Sequence, residues 1–178
     1  MNKKKRSGLT PFFLGFLTAL VIGWWIFPNI IFSKQEQPFN FSHKAHLEQL
    51  GDCSACHYFR DDGSYNGIPS LESCAACHAE PITGTPDEKL FVEEYVKKNR
   101  EVPWKIYQKQ PDNVYFSHIA HQKYDCKTCH PDVGNSKTLP PYFENKITGY
   151  SKYTMKMYQC ERCHAKNNAS NACYICHK

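Results

Sequence analysis

The sequence predicts a mostly irregular and α-helical fold, with one N-terminal transmembrane helix and no apolar core of ordinary size. Three observations support this prediction. All ten cysteines fall into five Cys-x-x-Cys-His motifs. A stretch of 24 residues near the N-terminus carries no charge. Between the motifs, Gly, Pro, Asn, Lys and Tyr are frequent, and no long alternation of apolar and polar residues indicates strands.

The five motifs share one spacing, which is the attachment signature of c-type haem. The two thiols add to the porphyrin vinyl groups, and the adjacent histidine reaches the iron from one face. The predicted covalent attachment residues are Cys53, Cys56, Cys74, Cys77, Cys126, Cys129, Cys160, Cys163, Cys173 and Cys176. The predicted iron ligands beside them are His57, His78, His130, His164 and His177. We therefore predict five haem c groups, with the chain of a multihaem cytochrome c wrapped around them.

Zinc sites and disulfides are the alternatives for paired cysteines. Zinc knuckles use Cys-x-x-Cys pairs but do not require a histidine directly after each pair. A disulfide framework does not hold every pair to one spacing and one following residue. The repetition of the complete motif favours haem over both.

The uncharged stretch, Leu9 to Phe32, predicts a membrane anchor. As a helix of 24 residues it is about 36 Å long, enough to cross a hydrocarbon core of about 30 Å. Pro11 lies near its start, and Pro28 is expected to stop or kink it near its end. The preceding Lys3 to Arg6 run predicts a cytoplasmic N-terminus, so the haem domain is expected on the periplasmic side of the inner membrane.

A cleaved signal peptide is the other interpretation of this segment. Its apolar region would be shorter, and a small-x-small cleavage site should follow. Ile26 to Asn29 contains no such site. We therefore expect an uncleaved, single-pass anchor.

The net charge of +5 does not indicate a nucleic-acid partner. Lys3, Lys4, Lys5 and Arg6 supply four positive charges, so the remainder carries about +1. Each haem adds two propionates, and a ferric iron offsets one of those charges. The loaded domain is expected to be modestly acidic.

Two similar segments, Phe39 to His57 and Val114 to His130, each place a His-x-x-His unit before a motif, at an offset of 75 residues. We interpret them as an internal duplication. Their histidines are His43, His46, His118 and His121, and with the five motif histidines they make up all nine in the chain. They are the predicted second axial ligands of four haems.

The fifth iron needs a different second ligand. Methionine is the usual substitute in cytochromes c and raises the reduction potential. Besides the initiator, the chain has only Met155 and Met157, of which Met157 is the first choice and Met155 the second. An open coordination site is the remaining alternative.

The motif positions predict a basic tail (1–8), an anchor helix (9–32), a dihaem module (33–80), a linker with one helix (81–112) and a trihaem module (113–178). Residues 33–38 are expected to form a polar tether, and residues 134–154 a long surface loop. Thr85, Pro86 and Glu88 predict a helix start, and the helix is expected to run to Asn99 with Leu90, Phe91, Tyr95 and Val96 on its apolar face. Trp104 and Tyr107 are expected to pack on haem edges or in a local core.

Irons with both axial positions filled transfer electrons but do not bind a substrate. No nucleophile, phosphate-binding or paired-carboxylate motif competes with this interpretation. The sequence therefore predicts an electron-transfer protein without a catalytic site of its own.

The unit Phe-x-His-x-x-His followed by Cys-x-x-Cys-His resembles class III multihaem cytochromes c. More specifically, the anchor, the segment PWKIYQKQPDNVYFSHIAH and the tail MYQCERCHAKNNASNACYICHK resemble the pentahaem cytochrome c subunit of alternative complex III. The resemblance implies a complex that oxidises menaquinol and passes electrons to a monohaem cytochrome, a blue copper protein or an oxidase. The cytochrome subunits of menaquinone reductases from sulfate reducers are similar, which leaves the direction of electron flow open.

The resemblance also implies partners: an iron–sulfur, molybdopterin-like subunit and polytopic quinol-binding subunits. The alternative is a stand-alone, membrane-anchored quinol dehydrogenase feeding a periplasmic reductase. Such proteins often carry Cys-x-x-Cys-His-x-Met at the first motif, where this chain has Tyr58 and Phe59 after His57. A haem-based sensor or scaffold would require an open iron site.

Overall fold

The computed structural model describes residues 8–177, so the basic run Lys3 to Arg6 lies outside the described residues. The α-helices are α1 (Leu9–Val21), α2 (Phe27–Ile31), α3 (His43–Leu50), α4 (Leu71–Ala75), α5 (Pro86–Phe91), α6 (His118–His121), α7 (Met157–Lys166) and α8 (Cys173–Cys176). Two π-helical segments, Ile22–Ile26 and Val92–Val96, follow α1 and α5, and 3-10 turns cover Cys53–Ala55 and Cys126–Thr128. The strands are β1 (Phe32–Gln35) and β2 (Tyr142–Asn145). The predicted mixture of short helices and irregular chain is confirmed.

Helices α1 and α2 and the π-helical segment between them form one helix from Leu9 to Ile31. This helix has 23 residues, and its most apolar part is not buried against the rest of the protein. By length and composition it can cross a membrane. Pro28 does not end it, contrary to one of the two expected effects, because the π-helical segment lies directly before the proline. Proline lacks an N–H and its ring crowds the carbonyl four residues earlier, and a wider π-helical turn accommodates both effects.

The segment after the membrane helix is a strand rather than a free tether. β1 pairs antiparallel with β2, with Phe32 opposite Asn145 and Gln35 opposite Tyr142. The expected long surface loop over residues 134–154 contains β2, which the sequence did not predict. Strands of four residues are too short to show a period-two pattern, and the pairing depends on two segments more than 100 residues apart. The ladder fixes the segment around β2 directly at the end of the helix from Leu9 to Ile31.

The predicted helix start at Thr85 is confirmed, since its hydroxyl accepts a hydrogen bond from the backbone N–H of Glu88. The apolar face was predicted only in part. Phe91 and Tyr95 are buried, but Leu90 is 42% exposed and the fully buried residue is Val92. The π-helical turn from Val92 to Val96 rotates the face relative to an ideal α-helix and ends the helical backbone before Asn99.

The apolar core is small. Leu71, Phe91, Val92 and Tyr95 form it, and Phe39 packs against them. Trp104 and Tyr107 pack in local cores, which is one of the two environments expected for them. The Trp104 ring is 4.8 Å from that of Phe39, and the Tyr107 ring is 5.4 Å from that of Tyr142.

The polypeptide alone leaves an unusually large surface exposed. Its accessible area is 13857 Å² for a mass of 20.6 kDa. A compact protein of that mass exposes about 8,900 Å². The helix from Leu9 to Ile31 contributes to the difference because its most apolar part is exposed. All ten cysteines of the motifs are also partly or fully exposed.

Replacement of Val92 by Ala should destabilise the haem-loaded protein by about 2 kcal/mol, because it removes two buried methyl groups and leaves a cavity. Leu90→Ala, two residues earlier and 42% exposed, is the matched control and should cost clearly less. Urea unfolding followed by far-UV circular dichroism measures both. Equal losses for the two variants would contradict the π-helical rotation of the face.

Candidate haem-binding sites

Each Cys-x-x-Cys-His motif folds as one tight turn. In four motifs the backbone N–H of the histidine donates to the carbonyl of the first cysteine at 2.9 to 3.0 Å, and in the other the motif lies inside α7. Asp52 and Asp125 cap the turns of the first and third motifs by accepting from Ser54 and Lys127. None of the ten cysteines, which all lie among residues 8–177, forms a disulfide. The turns therefore present two thiols and one imidazole together, as haem attachment requires.

The two His-x-x-His units have the same local geometry, which supports the predicted duplication. In the first unit, the Phe41 ring stacks on His46 at 4.2 Å and meets His43 edge-on at 4.9 Å. In the second, the Phe116 ring stacks on His121 and meets His118 edge-on, both at 4.8 Å. One phenylalanine thus orients two imidazoles that point in different directions.

Three of these histidines face a motif histidine at one common separation. The ring centroids are 6.0 Å apart for His46 and His78, 6.3 Å for His118 and His130, and 6.1 Å for His121 and His164. Two imidazoles that bind one metal ion from opposite sides, each with a nitrogen–metal bond of about 2 Å, have ring centroids about 6 Å apart. The three pairs therefore match the geometry of two axial ligands on one iron.

His43 is the partner that remains for His57. Burial lowers the pKa of His43, and the nearby His57 lowers it further. The Nδ1 atom of His43 is buried and has no hydrogen-bond partner, as found for residues 8–177. The half-buried ring of His43 beside His57 is therefore the candidate for a fourth pair.

The hydrogen bonds of the rings fix which nitrogen is free. A carbonyl oxygen only accepts, so a ring whose Nδ1 contacts a carbonyl carries its proton there and leaves Nε2 free for a metal. Five rings are held in this way by backbone carbonyls: His46 by Ser42, His57 by Gly67, His121 by Ser117, His164 by Ser170 and His177 by Asn113. Burial also lowers the pKa of His118 and His130, which keeps these rings neutral as ligation requires.

His78 has a different partner. Its Nδ1 lies 2.9 Å from Oε1 of Glu88, a buried carboxylate. Burial alone would raise the pKa of Glu88, but hydrogen bonds from Thr83, Ile82 and His78 together lower it to about 2. The sequence reasoning assigned Glu88 only to the helix start and missed this contact, because nothing in a linear pattern relates Glu88 to a histidine ten residues earlier.

The fifth motif faces a cavity of about 400 Å³. Cys176 and His177 line it together with Met155, Met157 and Phe32. Met155 is half-buried, whereas Met157, the first residue of α7, is 63% exposed. Both candidate thioether ligands thus lie in the wall that faces the histidine without a histidine partner.

Influences between neighbouring motifs link all five in one series, which we call the row. Burial and a neighbouring thiol raise the pKa of one cysteine at three junctions: Cys56 beside Cys77, Cys129 beside Cys163, and Cys160 beside Cys176. The first and third motifs meet through Tyr65, which stacks on His118 at 4.2 Å and whose pKa is raised by burial and by Cys126 and Cys53. The order is therefore second, first, third, fourth, fifth.

The residues present fit covalently bound haem. The turns offer paired thiols, five imidazoles have Nδ1 bonded to a backbone carbonyl and Nε2 available, and three facing pairs have the separation of axial ligands. Only tertiary contacts bring these groups together, since His121 and His164 are 43 positions apart in the sequence. The arrangement can hold irons with both axial positions filled.

Comparisons with known proteins agree with this chemistry. Residues 28–102 match the class III cytochrome C family, and residues 114–178 match the family of cytochrome c7 and related cytochromes c. Both families imply covalently bound haem c. A relative from Nitratidesulfovibrio vulgaris is the menaquinone reductase multiheme cytochrome c subunit. The two sequences are 50% identical over an alignment of 191 positions, which covers 97% of this chain and 91% of that protein. The chain therefore belongs to the family of multihaem cytochromes c that includes this subunit.

Proposed function

We propose that the chain is a membrane-anchored electron-transfer subunit of a quinone-linked respiratory complex, and that it holds five haem c groups. The proposal rests on one observation. At three motifs, the ring of the motif histidine lies 6.0 to 6.3 Å from the ring of a histidine of a His-x-x-His unit. Haem c, when bound, supplies an iron that takes up and releases one electron. Filled axial positions favour electron transfer over binding of a substrate.

In this proposal each motif attaches one haem through its two cysteines and its histidine. The second ligands are His43 for the first motif, His46 for the second, His118 for the third and His121 for the fourth. Ring contacts support the last three assignments, and the burial of His43 near His57 supports the first. The division into a dihaem segment (33–80), a linker (81–112) and a trihaem segment (113–178) follows from the same motifs.

For the fifth motif we propose Met157 as the second ligand, with Met155 as the alternative. Both line the cavity that contains His177. The position of Met157 at the start of α7 holds its backbone firmly, while the lower exposure of Met155 favours the alternative. A thioether ligand would give this haem a higher reduction potential than its bis-histidine neighbours.

The row of motifs has one end near the membrane. Phe32, the first residue after the membrane helix, lines the same cavity as His177. We propose that the fifth motif exchanges electrons with partners at the membrane surface, and that the second motif is the opposite end of the row. The N-terminus lies in the cytoplasm and the haem domain in the periplasm, as the basic flank of the anchor predicts.

The relative's name favours menaquinone reduction as the activity of the whole complex. We propose that a small periplasmic electron carrier, such as a monohaem cytochrome c, reduces the chain, and that partners with iron–sulfur centres and polytopic quinone-binding subunits pass electrons to menaquinone. All ten cysteines belong to haem motifs, so iron–sulfur centres would lie on a partner. Alternative complex III, in which menaquinol is oxidised and a blue copper protein or an oxidase is an acceptor, is the reverse direction through the same row.

Replacement of His121 by Ala should make one haem high-spin, and that haem should be the one attached by Cys160 and Cys163. The test combines two changes. In a background carrying Cys160→Ala and Cys163→Ala, His121→Ala should add no high-spin signal, whereas His118→Ala should still add one. Electron paramagnetic resonance of the ferric protein measures the signals. A high-spin signal from His121→Ala in that background would contradict the pairing of His121 with His164.

Replacement of Met157 by Ala should abolish the charge-transfer absorption of a methionine-ligated ferric haem and lower the potential of one haem. Met155→Ala is the matched control and should preserve the band. Near-infrared absorption and redox titration of the purified protein measure both effects. Loss of the band in Met155→Ala alone would assign the ligand to Met155, and absence of the band from the unmodified protein would contradict methionine ligation altogether.

The chain should migrate in a large assembly on a blue-native gel of gently solubilised membranes, as a haem-stained band. Mass spectrometry of the band should identify an iron–sulfur subunit and polytopic membrane subunits. The isolated assembly should reduce menaquinone with electrons from a reduced monohaem cytochrome c. Migration as a small oligomer that oxidises menaquinol by itself would support the stand-alone quinol dehydrogenase instead.

A further inference from the structure

We infer that Glu88 is a positioning residue that lowers the reduction potential of the haem at the second motif, by accepting a hydrogen bond from Nδ1–H of His78. The inference rests on the proposed haem ligation by His78 and His46. It concerns a residue outside the Cys-x-x-Cys-His and His-x-x-His motifs.

The carboxylate of Glu88 is held in place from several sides. Oε1 lies 2.9 Å from Nδ1 of His78 and accepts from the backbone N–H of Ile82 at 2.8 Å. Oε2 accepts from the backbone N–H groups of Thr83 and Gly84 at 2.7 and 3.0 Å, and from the Thr83 hydroxyl at 2.5 Å. The residue is only 8% exposed. These donors stabilise the ionised carboxylate and fix its orientation toward the ring.

Other motif histidines have weaker acceptors. His57, His164 and His177 donate their Nδ1–H to the neutral backbone carbonyls of Gly67, Ser170 and Asn113. In the part of the chain from Gly8 to His177, His78 is the histidine whose ring nitrogen contacts a carboxylate. The same motif sequence therefore acquires a different outer partner at the second site.

A carboxylate acceptor raises the basicity of a metal-ligating imidazole more than a carbonyl does. A more basic ligand, together with a nearby negative charge, stabilises the ferric over the ferrous state. Because Glu88 is buried, solvent screens this effect only weakly. The second motif should therefore hold one of the lowest-potential haems of the row.

The position of this site in the row gives the effect a direction. The second motif is one end of the row, and the fifth, beside the membrane and next to two methionines, is the other. A carboxylate-bonded imidazole lowers the potential at the second motif, and a thioether ligand raises the potential at the fifth motif. Both effects favour electron transfer from the second motif toward the membrane. That direction is the one required for reduction of menaquinone.

The test replaces Glu88 by Gln, which removes the charge but keeps the size of the side chain. The midpoint potential of one reduction step should rise by about 59 mV, which for one electron is about a tenfold change in the equilibrium constant. The ferric low-spin resonance of one bis-histidine haem should change as well. Spectroelectrochemical titration and electron paramagnetic resonance of the holoprotein measure these two readouts.

Glu101→Gln is the matched control. The Glu101 carboxylate lies near Cys74 and accepts from the backbone N–H of Leu71 at 3.1 and 3.2 Å, so it carries the same charge near the second motif without touching its histidine. It should move the same step clearly less than Glu88→Gln does. Equal shifts in the two variants would overturn the inference, since a general charge effect would then suffice.

Thr83→Ala is a second variant, for the case that Glu88→Gln fails to incorporate haem. It leaves the carboxylate but removes a donor to Oε2, so Oε1 becomes a stronger acceptor for His78. The same step should then move downward, in the opposite direction to the effect of Glu88→Gln. No shift in either folded variant, with five haems and low-spin spectra retained, would overturn the role of Glu88 while leaving the proposed ligation intact. If the unmodified protein showed no bis-histidine spectrum, the proposed ligation itself would be overturned.

Discussion

Three pairs of imidazole rings, each about 6 Å apart, bring distant segments of this chain together. A motif histidine and its partner come from different segments, as for His121 and His164, so each pair closes a loop of the chain. The apolar core around Val92 is too small to hold so many loops by itself. Covalent haem c, with its large apolar surface and two axial bonds, offers the additional contacts that such a chain needs.

In the proposed arrangement, the short β1–β2 ladder sets the position of the fifth motif relative to the membrane. It begins at Phe32, one residue after the membrane helix ends, and Phe32 also lines the cavity that contains His177. A flexible tether at this point would leave the distance from the fifth motif to the membrane variable. Electron transfer is sensitive to distance, so a fixed ladder and a fixed end of the row serve the same purpose.

Duplication supplied similar parts, and local contacts made them different. The units around Phe41 and Phe116 orient their histidines in the same way, so the proposed second ligands of four haems are held in similar local geometry. Differences arise in the partners of the rings: a backbone carbonyl for His57, a buried carboxylate for His78, and methionines opposite His177. These outer partners, rather than the attachment motifs, can set individual potentials along the row.

The sequence by itself determined the chemistry. Thiol spacing and the adjacent histidine are local properties, so the class of cofactor, the candidate ligands and the apolar helix from Leu9 to Ile31 were readable without a structure. The helix start at Thr85 was readable for the same reason. Tertiary structure alone decided the facing of His46 with His78, the order of the motifs, the contact of Glu88 with His78 and the pairing of Phe32 with Asn145. Each of these features depends on which distant segments of the chain come into contact. Neither motif spacing nor periodicity along the sequence specifies those contacts.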